Sequence, residues 1–268
     1  MPPLSQRVLI TGTAGAIGRR VGPFLREQGH FVRGFDLRPA PAGACDEQII
    51  GSLNDPAALA RACTGIDCLI HLAATSDEAD FLTQLLPNNI TGLYHVMEAA
   101  RRAGIRRTVL ASSVQVANAV IQRNAHAVLK VHDATAPTNF YGCTKVFLEM
   151  VGHLYAFRHQ MTVICARLGW YLRNEQALAR AQSRPAKTVA PIYLSHHDAN
   201  RFFHRAVAAD LPQGTCAVLW VMSRQTPGTG FDLEPAHQLI GYEPQDTFPD
   251  GTNMEAPLKP PGAAACSR

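Results

Sequence analysis

The chain has 268 residues, enough for one large domain or a large domain with a small appendage. Its 47% hydrophobic and 17% charged residues exclude a disordered polypeptide, and no apolar run approaches the roughly 18 residues that a membrane span needs. The net charge of +4 is scattered, and its densest clusters, Arg101-Arg102 and Arg106-Arg107, flank a predicted helix–strand turn, so they read as a solvated helix end rather than a nucleic-acid surface.

Short, continuous apolar runs alternate with longer helical patterns up to about residue 169. Strands are predicted at Arg7–Thr11, Phe31–Asp36, Glu47–Ile50, Asp67–Ala73, Arg107–Ser112 and Thr162–Leu168. Unbroken apolar strands are those buried on both faces of a parallel sheet. Helices are predicted at Gly15–Gln28, Pro56–Cys63, Asn89–Ala103 and Tyr141–Arg158, with Asp55-Pro56 as a start signal and Gly29 and Gly104 as C-caps. The expected architecture is an α/β, Rossmann-type doubly wound parallel sheet with a small C-terminal substrate-binding part. Residues 170–194 read as irregular, Ser195–Ala209 as a helix capped by Ser195, and Cys216–Met222 as a short strand. From 244 the chain is rich in Pro and Gly, and its last residues are expected to fray. The division expected is 1–169 for the dinucleotide and the catalytic residues, 170–243 for an interleaved substrate-binding part, and 244–268 for a tail.

The loop Gly12-Thr13-Ala14-Gly15-Ala16-Ile17-Gly18 follows the first strand directly. Glycines let phosphate oxygens approach a backbone whose helix N-terminus offers free N–H groups and a positive dipole end. The three glycines lie three apart, a departure from plain GxGxxG. Asp36 ends the second strand 18 residues beyond Gly18, where a carboxylate accepts hydrogen bonds from the adenosine ribose hydroxyls. That acid would repel a 2′-phosphate, so NAD is expected rather than NADP, a preference that Arg38 softens. Seven cysteines without CxxC or zinc-like spacing, and no apolar leader beyond Val8-Leu9-Ile10, predict reduced thiols in a cytoplasmic protein. No metal is expected; His196-His197 point in different directions on a helix, and no acid or cysteine completes a site.

Tyr141-Gly142-Cys143-Thr144-Lys145 sits 28 residues beyond Ser113, the second of the pair Ser112-Ser113. Positions four apart share a helix face, so Tyr141 and Lys145 reach one site. A phenol titrates near pH 10, and a neighbouring ammonium is expected to lower that value. Such a tyrosine takes a proton from an alcohol while hydride leaves its carbon, and a nearby serine orients the oxygen.

These segments, together with His71-Leu72-Ala73-Ala74, Asn88-Asn89-Ile90-Thr91-Gly92 and Arg167-Leu168-Gly169, occur in an order that resembles the extended short-chain dehydrogenases/reductases, the NAD-dependent epimerase/dehydratase family. The resemblance covers residues 7 to about 170. It implies a catalytic set of Ser113, Tyr141 and Lys145 with Asn89 in the active-site water network. It implies cofactor contacts from Gly12, Gly15, Ala16, Ile17, Gly18, Asp36, Ser52, Leu53, Leu72, Ala73, Ala74, Ser112, Tyr141 and Lys145, Lys145 holding the nicotinamide ribose. Ser52 stands where the family often has an acid against adenine. Within the family the chain most resembles the uronate dehydrogenases, through His71–Ser76, Asn89–Tyr94 and Tyr193–Asp198. Substrate contacts are then implied for Ser76, Ser113, Val114, Gln115 and Trp170, with Val114-Gln115 replacing Asn-His and Trp170 replacing a small serine. Arg173, Arg180, Arg184 and Lys187 are candidates to pair a substrate carboxylate. The implied activity is NAD-dependent transfer of a hydride between a small sugar acid, polyol or related alcohol and NAD, with Tyr141 as general base. The alternatives are a nucleotide-sugar epimerase or dehydratase that recycles NAD, and a non-catalytic nicotinamide-binding regulator. A homodimer is expected through the helices Asn89–Ala103 and Tyr141–Arg158.

Overall fold

The computed structural model describes residues 5–123, 128–225 and 230–252. The first β-α-β unit runs from β1 (Arg7–Thr11) through α1 (Gly18–Glu27) to β2 (Phe31–Asp36), followed by β3 (Glu47–Ile50), α2 (Pro56–Cys63) and β4 (Cys68–His71). Next come α3 (Gly92–Arg102), β5 (Arg107–Ser113), α4 (Asn118–Arg123), α5 (Phe140–His159) and β6 (Thr162–Leu168). The last part holds β7 (Trp170–Tyr171), α6 (Glu175–Gln182), α7 (Ala186–Val189), β8 (Tyr193–Leu194), α8 (His196–Ala208), β9 (Cys216–Val221) and α9 (Glu234–Ile240). Seven strands form one parallel sheet in the order β3-β2-β1-β4-β5-β6-β9. The chain thus winds outward in both directions from β1 and β4, which puts a crevice at the C-terminal ends of these central strands.

The sheet is sealed on both faces, which is why its strands are apolar throughout. Val8, Ile10 and Ile70 face α1 and α8, whereas Leu9, Leu69 and Leu110 face the layer of α2, α3 and α5. All predicted strands form, within two residues of the expected ends. Asp55 caps α2 as its sequence suggests, its carboxylate accepting from the amides of Ala57 and Ala58. Ser195 caps α8 through the amide of Asp198 at 2.9 Å.

Two expectations for these elements need correction, and the stretch just after 244 adds an observation. The helix expected from Asn89 is preceded by a wide helical segment, Phe81–Thr91, that contains Pro87. Proline supplies no N–H to an i→i−4 ladder, and the chain here adopts the wider i→i−5 spacing, with the Gly92 amide donating to Pro87 O. The stretch 170–194 is ordered: β7 pairs in parallel with β8, and α6 starts at Asn174, whose side chain accepts from the Ala177 amide. Two-residue strands carry no periodicity, and they close only because α6 and α7 fold between them. The chain after 244 is pinned as far as it is described. Asp198, fully buried, accepts from the amides of Gln245 and Asp246, and the Tyr193 hydroxyl donates to Asp250 O at 2.6 Å. The fraying expected of the last residues falls on 253–268, outside the described residues.

Candidate active site

The crevice at the strand ends is a cleft of about 790 Å³, lined by residues of the glycine loop, the ends of β4, β5 and β6, the start of α5 and the segment from β7 to α7. At one end the glycine loop folds back on itself. The Gly12 amide donates to Phe35 O at 2.7 Å and that of Gly15 to Gly12 O at 3.0 Å. Gly12 has φ +81°, and a Cβ there would lie 2.7 Å from Ala73 N; one on Gly18 would lie 2.3 Å from Gly12 O. Only glycine permits this packing of backbone on backbone. The turn uses residues 13–17, so α1 begins at Gly18 and not at Gly15 as expected. Among the described residues the amides of Ala16 and Ile17 have no acceptor, and Ile17 lines the cleft. Unspent N–H groups at a helix start fit a pyrophosphate.

Asp36 stands beside this loop, its carboxylate accepting from the Ala14 amide at 2.9 Å and the Arg38 amide at 3.1 Å. Each oxygen keeps a lone pair for a ribose hydroxyl. Leu72 and Ala74 line the cleft, and the Leu72 and Ala73 amides are tied to Thr11. The Ser52 hydroxyl oxygen accepts from the Asn54 amide at 3.1 Å, and Leu53 is buried beneath α3 against Gly92. The adenine end is therefore left with Ser52 at the surface and Leu53 as core. These residues fit a dinucleotide with its pyrophosphate at the loop and its ribose at Asp36.

The cleft floor brings Ser113, Tyr141 and Lys145 together. Lys145 is buried, its ammonium donating to Ala111 O at 2.8 Å and lying 5.5 Å from the Tyr141 ring centre. Burial lowers its pKa to about 8. Tyr141 moves the other way. Burial pushes its phenol up to about 12, a hydrogen bond from Ser113 opposes the rise, Asp77 adds to it, and Arg173 opposes it. The phenol therefore lies above its ordinary value, against the lowering expected from Lys145, because desolvation is the largest influence on it. His71 beneath them is held neutral, its pKa lowered to about 3 by burial and by the Lys145 charge.

Two expected site residues serve as struts. Asn89 is buried with both amide hydrogens committed, to Thr75 O and Thr144 Oγ1, while its oxygen accepts from the Thr75 amide at 2.8 Å. One lone pair remains for a water network, and the main effect is to clamp the loop after β4 to α5. Ser112, on the opposite face of β5 from Ser113, donates to Glu149 Oε1 at 2.6 Å. Glu149 in turn forms a buried ion pair with Arg167 at 2.9 Å.

The substrate side brings all five expected residues, Ser76, Ser113, Val114, Gln115 and Trp170, to one cleft. Of the four basic candidates, Arg173, Arg180 and Arg184 line it and Lys187 does not. Arg173 donates to Ser76 and Asp77, and Arg184 lies over the Trp170 ring. Sequence reasoning missed Asp77, Glu78 and Asn139. The Asn139 side chain caps α5 by accepting from the Gly142 amide at 2.8 Å, a signal readable from an asparagine just before the Tyr/Lys helix. Asp77 and Glu78 carry no such signal, because they meet their partners only across the fold. Among the described residues no group of three His, Cys, Asp or Glu side chains is placed to hold a metal ion.

Residues 8–185 match the model of the NAD dependent epimerase/dehydratase family. The chain is 31% identical, over 90% of its length and 96% of the relative's, to L-arabinose 1-dehydrogenase (NAD(P)(+)) of Haloferax volcanii. It is 30% identical to uronate dehydrogenase of Pseudomonas syringae pv. tomato, over 75% of this chain and 69% of the relative. Among solved structures it is similar to uronate dehydrogenase from Agrobacterium tumefaciens, with a TM-score of 0.73 and 27% identity over 90% of this chain and 85% of that one.

Proposed function

The chain belongs to the NAD dependent epimerase/dehydratase family and is an NAD-dependent oxidoreductase, and we propose that it oxidises a small cyclic sugar or sugar acid at a hydroxyl-bearing carbon. The observation that carries this reading is the meeting of Ser113, Tyr141 and Lys145 at the floor of a cleft whose other end is the glycine loop. NAD, when bound, supplies the hydride acceptor. Ser113 orients the substrate hydroxyl and Tyr141 takes its proton as the carbonyl forms. Lys145, anchored on Ala111 O beside the phenol, supplies positive charge that favours the phenolate and holds the ribose hydroxyls. Residues 1–169 carry this chemistry in the proposed division, 170–243 shape the substrate side, and 244–268 form the tail. The substrates of the similar proteins, arabinose and uronates, are small sugars without a nucleotide, and this side of the cleft is walled by β7 and the eight-residue α6. Net NADH formation at 340 nm with a panel of sugars and sugar acids tests the reading; an epimerase or dehydratase that recycles NAD yields none.

We also propose a homodimer built on α5. Phe147, Met150, Leu154 and Phe157 are exposed at spacings of three and four along this helix, Phe157 at 82% of its full area, and Tyr94 of α3 is exposed as well. An apolar stripe with coiled-coil spacing on a water-facing helix is suited to a second copy of itself.

A further inference from the structure

We propose that Asp77 is a specificity-determining residue: by holding the Arg173 guanidinium it keeps that arginine from pairing a substrate carboxylate, and so favours an uncharged sugar over the corresponding sugar acid. This rests on the sugar-oxidation reading above and sharpens it. Arg173 follows β7 on one wall of the cleft, and its guanidinium reaches the opposite wall to donate to Ser76 and Asp77. The second Asp77 oxygen accepts from Gln115 Nε2 at 3.2 Å, and Gln115 Oε1 accepts from Asn139 Nδ2 at 2.8 Å. Asn139 caps the helix that carries Tyr141, so the carboxylate is held from both sides in register with the catalytic residues. Its backbone is in the left-handed region at φ +67°, which aspartate and asparagine tolerate best among residues with a Cβ.

The position of the pair explains its reach. Arg180 and Arg184 also line the cleft, Arg184 over the Trp170 ring, whereas Arg173 is held against Asp77 on the wall that carries Gln115 and Asn139. The other nearby carboxylate, Glu78, accepts from the Tyr141 amide and keeps its charge on the cleft wall, which also disfavours an acid. A substrate carboxylate that sought Arg173 would have to displace Asp77 and then lie beside the displaced like charge. A neutral sugar pays neither cost, because one hydroxyl can donate to Asp77 while another accepts from Arg173. The pair is exposed, at 56% for Asp77 and 41% for Arg173, so it does not close the cleft. It decides whether Arg173 is open to a substrate carboxylate.

The test uses the full chain with NAD and the matched pair D-galactose and D-galacturonate, which differ in an alcohol against a carboxylate at one carbon. The wild type is expected to use galactose at least as well as galacturonate by kcat/KM. Asp77→Asn, which suits the same backbone, is expected to raise the acid-to-neutral ratio about tenfold, mainly through KM for the acid, as one charge-assisted hydrogen bond would. Arg173→Gln, which leaves Asp77 uncompensated, is expected to move the ratio about as far the other way, and carries the test if Asp77→Asn does not fold. An unchanged ratio in a folded variant, or a wild type that prefers the acid more than tenfold, overturns the proposal. A wild type that forms NADH from neither these sugars nor any of the wider panel overturns the sugar reading itself, and the proposal with it.

Discussion

The side chain of Glu78 accepts a hydrogen bond at 2.9 Å from the backbone amide of Tyr141. Glu78 lies on the loop after β4, and Tyr141 stands in the first turn of α5, 63 residues later. The first N–H groups of a helix have no partner inside it, and a carboxylate there also meets the positive end of the helix dipole. Asn139 serves the Gly142 amide and Glu78 the amide just before it. The proposed general base is therefore positioned by its own backbone, through a contact between the loop after β4 and the first turn of α5.

Glu78→Ala removes this cap and is expected to lower kcat about fivefold, the effect of roughly 1 kcal/mol lost from a helix cap. NAD affinity should stay within about twofold, because Glu78 is remote from the glycine loop. Steady-state kinetics with a cofactor titration check both, and Glu78→Gln should restore most of kcat because its amide oxygen still accepts.

Gly18→Ala places a methyl group 2.3 Å from Gly12 O, against backbone that cannot yield. The loop must open, and NAD binding is expected to weaken by at least about tenfold, as 1.4 kcal/mol or more of lost contact would require. Titration of cofactor fluorescence measures this. Tyr141 and Lys145 are untouched, so saturating NAD should recover much of kcat.

The pH dependence follows from the buried phenol. The Tyr141 phenol is pushed up to about 12, so below that pH its proton is held and the base form is scarce. Oxidation needs that base form, and kcat/KM for the alcohol should rise with pH from about 6 to 8, by up to about tenfold per unit where a single proton controls the rate, and the rise should end as Lys145, whose pKa burial lowers to about 8, loses its charge. Reduction of the carbonyl product, which needs the protonated phenol, should not rise over the same range. A rate of oxidation that falls over this range is the contrary result.

The apolar stripe of α5 makes a dimer testable at a single residue. Phe157 is the most exposed of these residues, and Phe157→Glu places a charge on the stripe without disturbing buried contacts. Light scattering after gel filtration is expected to give a dimer for the wild type and a monomer for the variant. A wild-type monomer at micromolar concentration would refute the homodimer.

The sheet was largely legible because its strands are sealed on both faces, and such strands must be apolar whatever the rest of the chain does. Val8-Leu9-Ile10, Cys68–His71 and Thr162–Leu168 all show it. The glycine loop and the Tyr141/Lys145 pair were legible because each depends on local spacing. What escaped depends on contacts distant in sequence. Asp77 meets Arg173 at a separation of 96 residues, and nothing beside either residue announces the other. The wide turn before α3 escaped because Pro87 read as a break and not as the middle of a helix. The Tyr141 pKa escaped for a related reason: spacing gives its ammonium neighbour, whereas its burial belongs to the folded cleft.

The most direct measurement is NADH formation at 340 nm, with sugars and sugar acids, by the wild type and by Tyr141→Phe. The hydroxyl is the only group removed, so the expected result is net NADH from at least one sugar by the wild type. The variant should fall by about 10²- to 10⁴-fold, the usual contribution of a general base, while NAD still binds. Turnover by Tyr141→Phe equal to that of the wild type would contradict the assignment of Tyr141 as the base on which the proposed reaction depends.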